Sequence, residues 1–318
     1  MADPRPASRY AAIDIGTVTC RLLIADVDSD GLHELERMCS ITNLGEGVDK
    51  TGCLQPEAMK RVAGQIAQFQ KRIAAYQDRE HLAITTIATA TSAARDAKNS
   101  AEFLGILGNM GVTLHIIPGE KEAMLSFLGV SESFPAEELL VVDVGGGSTE
   151  VSLGRAGAPP LRSHSFDVGC RRMTERFLAS DPPTDGELAG ARAWATEVMR
   201  GYFEGLSREG FAIDRLVAVA GTATSVVSIH KKMKVYDSAQ VHRAVISKKT
   251  LLDVYENLRS IPLAQRKLTV GLEPDRASVI VAGLAILDVI MGLAGQDSFT
   301  VSETDILQGI ILDTAAKS

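Results

Sequence analysis

The sequence has no apolar run near the roughly 20 residues that a membrane helix needs. Stretches such as residues 139–144 and 279–287 are far shorter, so no membrane span is expected. Cysteine is scarce: Cys20, Cys39, Cys53 and Cys170 fall at no CxxC or zinc-ligand spacing and are too few for a disulfide scaffold. That usage fits a reducing cytoplasm, and residues 1–9 carry no apolar segment of the signal-peptide kind. Positive charge is also in deficit. A net charge of -7 argues against the extended basic face that nucleic-acid binding requires. A polyanion would have to meet a local basic pocket, for which His230 with Lys231, Lys232 and Lys234, the pair Arg171 and Arg172, and the pair Lys248 and Lys249 are candidates, the alternative being solvated surface charge. No GxSxG elbow, HExxH, GxxxxGK[ST] or Cys-x5-Arg loop occurs. The six histidines lie outside every constellation described below, which leaves water as the direct nucleophile.

What is present is enough for two ordinary domains: 318 residues, 45% of them hydrophobic. Strand-like runs at 10–15 and 21–27 flank a short turn, with a third strand near 35–42 and a helical pattern over 56–76. A strand at 81–88, helices at 100–110 and 120–130 and a strand at 112–117 complete an α/β alternation. At residue 139 the pattern starts over, with strands at 139–144, 149–153 and 161–168. Helices follow at 169–178 and 184–206, then a strand at 215–220 and helices at 223–229, 248–258 and 275–293. A strand at 299–301 and a final helix over 303–316, capped by Ser302, close the chain. A shift of 129 residues places Asp14 on Asp143, Gly16 on Gly145 and Thr19 on Ser148, and Leu44-Gly45 corresponds to Val168-Gly169 once a few residues of loop are dropped. The chain therefore reads as an internal duplication, divided at 1–124 and 125–318.

The glycines of Gly145-Gly146-Gly147-Ser148 let backbone N–H groups converge, as in a nest that binds phosphate oxygens. Gly16, Thr17 and Thr19 form the first copy of that turn. Carboxylates beside such a cradle would repel a phosphate unless a cation lay between them, so Asp143 and Glu150, with Asp14 as a third, imply Mg²⁺, for which Mn²⁺ is the natural substitute. The alternative for Asp14 is a turn-stabilising role. Gly221 and Thr222 open a helix whose N-terminus offers a further anion contact, or only an ordinary cap. Arg95, after a buried strand and a run of small residues, suits a phosphoryl group in flight; its alternative is an ion pair with Asp96 or another acid. Of Glu120 and Glu122, one is the candidate base that orients a water and the other a helix N-terminal acid.

These residues, with Ile13-Asp14-Ile15-Gly16-Thr17, Leu44-Gly45-Glu46-Gly47-Val48, Ala88-Thr89-Ala90, Gly119-Glu120, Asp143 through Glu150 and Arg276-Ala277-Ser278, resemble the Ppx/GppA phosphatases along the whole chain. The resemblance implies an α/β fold of two RNase H-like domains, of the actin, sugar-kinase and Hsp70 type, around an interdomain active-site cleft. It implies Mg²⁺-dependent release of terminal phosphate from polyphosphate or guanosine pentaphosphate, and a homodimer. By position it makes Glu122 the base, gives Glu150 and Asp143 the metal and substrate, Arg95 a phosphate contact and residues 145–148 the phosphate loop. The chain resembles the short form of the family, without the helical HD-type addition. Thr17-Val18-Thr19 stands where Ser-Asn-Ser is usual, and Asn43 and Met124 stand where arginines are common. Two other functions are compatible with the fold: an ATP-dependent small-molecule kinase, and a non-catalytic sensor of guanosine tetraphosphate or polyphosphate.

Overall fold

A computed structural model describes residues 8–80 and 82–317, so His81, expected to open a strand, lies outside the described residues. The chain forms two units, one of residues 1–129 with 305–318 and the other of residues 130–304. The first unit contains β1 (Ser8–Ile15), β2 (Thr19–Asp28), β3 (Gly31–Ile41), α1 (Val48–Thr51), α2 (Pro56–Glu80), β4 (Ile84–Ala90), α3 (Ser92–Asp96), α4 (Ser100–Gly108), β5 (Leu114–Ile116) and α5 (Gly119–Ser131). The second contains β6 (Glu138–Val144), β7 (Thr149–Arg155), β8 (Arg162–Phe166), α6 (Cys170–Phe177), α7 (Asp185–Glu209), β9 (Arg215–Val219), α8 (Ala220–His230), α9 (Ser238–Val241), β10 (Val245–Ser247), α10 (Lys248–Arg259), α11 (Leu263–Arg266), α12 (Ile280–Leu293) and β11 (Ser298–Val301). Helix α13 (Ile306–Ala315) then returns to the first unit.

The sheet orders are β3-β2-β1-β4-β5 and β10-β11-β9-β6-β7-β8. Each has an antiparallel three-strand meander whose first strand pairs in parallel with the strand after a crossover: β1 with β4, and β6 with β9. This is the duplication that the shift of the two Asp-x-Gly turns foretold. Strand β1 is buried on both faces, which is why its sequence is almost continuously apolar. Ala11, Ile13 and Ile15 face a core built on α2, β4 and α4, whereas Tyr10 and Ala12 face a second core formed with Leu125 of α5 and Ile306, Leu307, Ile310 and Ile311 of α13. In the second unit α12 is buried along almost its whole length and packs on α7, α10 and α6. Its one charge, Asp288, is paired with Arg192 of α7.

The chain's end departs from the expected division at 1–124 and 125–318, because α13 belongs to the first unit. The physical reason is the apolar face just described, which completes the second core of that unit. The final helix is also capped by Asp305 rather than Ser302. Asp305 accepts from the Leu307 N–H at 3.1 Å while Gln308 reaches back to the Asp305 N–H, a full capping box.

Helices α5 and α13 run against each other along matched four-residue steps. Lys121 pairs with Asp313 at 2.8 Å, Gly309 lies against the Leu125 carbonyl, and Gly129 lies against the Asp305 carbonyl. A β-carbon at either glycine would overlap the facing backbone, so the approach depends on glycine at both positions. Gly309→Ala should therefore lower unfolding stability by about 1–3 kcal/mol. A urea titration should show the midpoint falling with unchanged slope; an unchanged midpoint would mean that the helices do not meet there.

Candidate active site

The candidate residues collect at the carboxyl ends of the central strands of each sheet, the position at which α/β sheets bind ligands. In the second unit the β6–β7 hairpin carries Asp143, Gly145, Gly146, Gly147, Ser148 and Glu150 in one short stretch, and the ladder sets Asp143 directly opposite Glu150. The two carboxylates are 8% and 2% exposed, respectively, and the Ser165 hydroxyl donates to Glu150 Oε1 at 2.6 Å.

What shapes the loop is the chain segment after β8. The Cys170 N–H donates to the Gly145 carbonyl at 2.9 Å, the Arg171 and Arg172 N–H groups donate to Gly146 at 2.8 and 3.2 Å, and Arg172 Nε donates to the Gly147 carbonyl at 2.7 Å. The carbonyls are thus consumed on one side. Among the described residues, no protein acceptor takes the N–H of Gly146, Gly147 or Ser148. Buried N–H groups are seldom left without an acceptor, so three in succession form a nest of the kind that can receive an anion. Gly169 permits the arrangement, since a β-carbon there would overlap the Gly146 carbonyl.

The first unit repeats the device. The Thr17 carbonyl accepts from Gly45 at 2.9 Å, and the Val18 carbonyl accepts from Thr42 and Asn43 at 3.0 and 2.9 Å. Gly45 presses on Thr17 as Gly169 presses on Gly146. Gly16 closes the turn through its N–H to the Thr19 carbonyl, at 2.8 Å; Thr17 is buried and Thr19 half-buried. Asn43 has φ 51°, a left-handed conformation that asparagine tolerates better than most residues. A guanidinium nevertheless stands at this turn: Arg61, from α2, donates to the Thr42 carbonyl at 2.8 Å and pairs with Glu46 at 2.8 Å.

Asp14 is 4% exposed and is held by Arg21, its cross-strand partner, through Nη2 at 2.6 Å and Nε at 3.2 Å. Arg21 Nη1 pairs in turn with Asp305. Burial raises the carboxyl pKa of Asp14 and Arg21 opposes that rise.

Arg95 and Glu122 are together. Arg95 on α3 donates through Nη1 to Glu122 Oε2 at 3.1 Å and to the Ile117 carbonyl at 3.0 Å. The partner of Arg95 is thus Glu122, while Asp96 accepts from Ser92 at 3.3 Å. Of the two glutamates on α5, Glu122 is the buried one, at 9% exposure, and Glu120 is not paired with Arg95. Strand–helix bonds fix both positions: the Thr91 N–H reaches the Ile15 carbonyl at 3.3 Å, and the Ile117 N–H reaches the Ala90 carbonyl at 3.0 Å.

At the start of α8, Thr222 is buried and its hydroxyl donates to the Val144 carbonyl at 3.3 Å, which ties the helix to the end of β6. Gly221 makes room for a side chain that sequence reasoning left without a role: the Arg276 guanidinium occupies the space where a β-carbon of Gly221 would stand. The preceding Ala220, with φ 63°, takes the left-handed backbone that directs the chain into α8. Arg276 also lies close enough to Cys170 to oppose the upward push of burial on that thiol. The signal for it in sequence was only its place in the Arg276-Ala277-Ser278 run.

Among the described residues no group of three or more His, Cys, Asp or Glu side chains gathers around one point as a ready-made metal cage. Nor is any helix there long and apolar enough to cross a membrane. The opposed pair Asp143 and Glu150 supplies the hard oxygen donors that Mg²⁺ prefers, and Mg²⁺ commonly takes one or two carboxylates and fills its other positions with water and phosphate oxygens.

The model of the Ppx/GppA phosphatase family matches residues 23–318. Exopolyphosphatase 2 of Mycobacterium tuberculosis is 37% identical over 97% of this chain and 99% of its own length. A bifunctional 3-dehydroquinate synthase/phosphatase of Fusobacterium nucleatum is 35% identical over 95% of this chain and 46% of its own. Among solved structures, an exopolyphosphatase-like protein superposes with a TM-score of 0.87 at 32% identity, covering 97% of this chain and 98% of that one. The Ppx/GppA enzyme of Aquifex aeolicus does so with a TM-score of 0.79 at 29% identity over 97% of this chain and 100% of its own. Sequence, sheet topology and the two Asp-x-Gly hairpins converge: the chain belongs to the Ppx/GppA phosphatase family.

Proposed function

We propose that the protein is an exopolyphosphatase that releases orthophosphate from the end of a linear polyphosphate with the aid of Mg²⁺, for which Mn²⁺ can substitute. The observation that carries this reading is the run of N–H groups at Gly146, Gly147 and Ser148, left without protein acceptors beside Asp143 and Glu150. A chain of phosphoryl groups offers many anionic oxygens to such a cradle, and Exopolyphosphatase 2 of Mycobacterium tuberculosis aligns with 97% of this chain at 37% identity.

In this reading the terminal phosphoryl group lies on residues 145–148, whose N–H groups donate to its oxygens and neutralise charge as it develops. Mg²⁺, when bound, would be held by Asp143 and Glu150 and would screen phosphate charge from those carboxylates. Glu122 orients the attacking water and accepts its proton, while Arg95, through its bond to Glu122, keeps that carboxylate aimed and lends positive charge to the phosphoryl group. The Arg276 guanidinium at the start of α8 adds a cation to the same half of the site. Thr222 contributes by position alone, because its hydroxyl hydrogen is given to Val144.

The direct test is orthophosphate release from polyphosphate by purified protein with Mg²⁺, alongside guanosine pentaphosphate and, as a check on kinase chemistry, ATP with no acceptor. Release from polyphosphate is expected. Polyphosphate binding without release would favour a sensor, and release from guanosine pentaphosphate alone would move the substrate assignment. Within an active enzyme, Glu122→Gln should lower turnover by about 10²- to 10⁴-fold while polyphosphate still binds in a filter assay; near-normal turnover would remove Glu122 from the mechanism. Gly169→Ala should push the Gly146 carbonyl aside, and a misplaced cradle should cost about 10²-fold in turnover. Wild-type turnover in that variant would separate the loop from catalysis.

A further inference from the structure

Three basic clusters stand out in the sequence, and the fold employs two of them internally. Arg171 pairs with Glu175 at 3.4 Å, Arg172 donates to the Gly147 carbonyl, Lys248 lies 3.8 Å from Asp288, and Lys249 pairs with Asp253 at 2.6 Å. The third, at the carboxyl end of α8, is left facing outward. Lys231 gives its ammonium to the Gln240 carbonyl at 2.9 Å, and among the described residues Lys232 and Lys234 are in no ion pair. A second loop, after α11, adds one more exposed and unpaired lysine, Lys267. The two loops are neighbours because both are fastened to Ser228. Its carbonyl accepts from the Met233 N–H at 2.9 Å, its hydroxyl donates to the Gly271 carbonyl at 2.5 Å, and a β-carbon on Gly271 would overlap it. Residues 230–236 and 263–272 contain no acid.

Between the lysines the same loops display apolar side chains. Val235 is 82% and Leu268 81% exposed; Val270 is exposed as well, as is Tyr236, whose hydroxyl is held by Glu303. Four of the nine large apolar side chains exposed among the described residues thus lie in two adjoining loops, which is not the single scatter of an ordinary surface. Nor does the exposure come from slack chain. Leu272 is buried, and the buried Arg266 donates to the carbonyls of Leu258, Ile261 and Ala277 at 3.0, 3.0 and 3.2 Å, so the second loop is anchored at both ends and only its tip projects.

We infer that this face docks on an anionic lipid membrane, with Val235, Leu268 and Val270 entering the headgroup boundary and the four lysines meeting acidic headgroups. Reversible attachment to a bilayer takes two signals, apolar insertion and a polybasic patch, and both are here. Composition separates a lipid surface from a protein partner. Protein interfaces favour arginine and are poor in lysine, whereas every exposed cation of these two loops from Lys231 to Lys234 and at Lys267 is a lysine, whose stem can lie along apolar surface with its ammonium in the headgroups. A second copy on a two-fold axis would set lysines against lysines. A free polyanion would leave the apolar tips in water. The chain as a whole carries a net charge of -7, so an anionic surface repels it elsewhere and this face sets the orientation. The inference does not depend on which phosphate compound is hydrolysed.

The test is co-sedimentation of the full chain with vesicles of phosphatidylcholine alone and of phosphatidylcholine with phosphatidylserine, at low and high salt. Binding is expected only to the vesicles that contain phosphatidylserine, and it should weaken as salt rises. Replacing Lys231, Lys232, Lys234 and Lys267 together by glutamine should weaken it by at least about 100-fold. Val235→Ser with Leu268→Ser should weaken it by at least about tenfold at unchanged charge. All of these side chains are exposed, so both variants should keep the wild-type urea midpoint. In Leu268→Trp the indole emission should move to shorter wavelength on the anionic vesicles, beyond any change of Trp194 in wild type. No binding to anionic vesicles at low salt, equal binding to neutral ones, or binding that survives both variants would overturn the inference. So would a wild type that leaves vesicles unbound and instead forms a dimer split by Val235→Ser with Leu268→Ser, or whose affinity for long-chain polyphosphate is lost in the glutamine variant.

Discussion

Capture of the turn carbonyls by the segment that follows each three-strand meander is the constraint from which the rest of the site follows. A tight hairpin turn presents both donors and acceptors, and a phosphate is repelled by the acceptors. When residues 170–172 take the carbonyls of residues 145–147, only donors are left facing outward. Gly169 must be glycine for that capture to occur, and Gly45 plays the same part against Thr17 in the first unit. The polarity of the cradle is thus set by residues well downstream of it, not by the Gly-rich run alone.

The carboxylates acquire their meaning from this polarity. Asp143 and Glu150 flank a donor-only turn and face each other across one rung of the ladder. Such a pair is poorly suited to a structural role and well suited to a hard cation. Asp14 has the same place in the first hairpin and a different environment, since Arg21 and, behind it, Asp305 turn it into part of an ion-pair chain reaching the cap of α13. Helix α13 also braces α5, the helix that carries Glu122, through Lys121 with Asp313 and the two glycine contacts. A helix remote in sequence from every motif therefore supports the candidate base.

Much of this was legible before any coordinates. Strand and helix positions followed from periodicity, the duplication from two Asp-x-Gly turns at a constant shift, and the turn with outward N–H groups from three successive glycines. The pairing of Arg95 with Glu122 was not legible, because it depends on β4 and β5 being neighbours in the sheet. The swap of α13 into the first unit was missed because an amphipathic final helix does not declare which sheet it covers. The guanidiniums of Arg61 and Arg276 reach their turns from elements distant in sequence. Arg21 is the instructive case: the shift already laid it on Glu150, but the consequence for Asp14 needed the strand register.

Catalysis as proposed requires the N–H groups of residues 146–148 to be the anion cradle. Amide-resolved NMR of labelled protein titrated with orthophosphate tests it most directly. Downfield shifts and slowed exchange are expected at Gly146, Gly147 and Ser148. Unmoved amides at all three, with phosphate perturbing other turns instead, would contradict it.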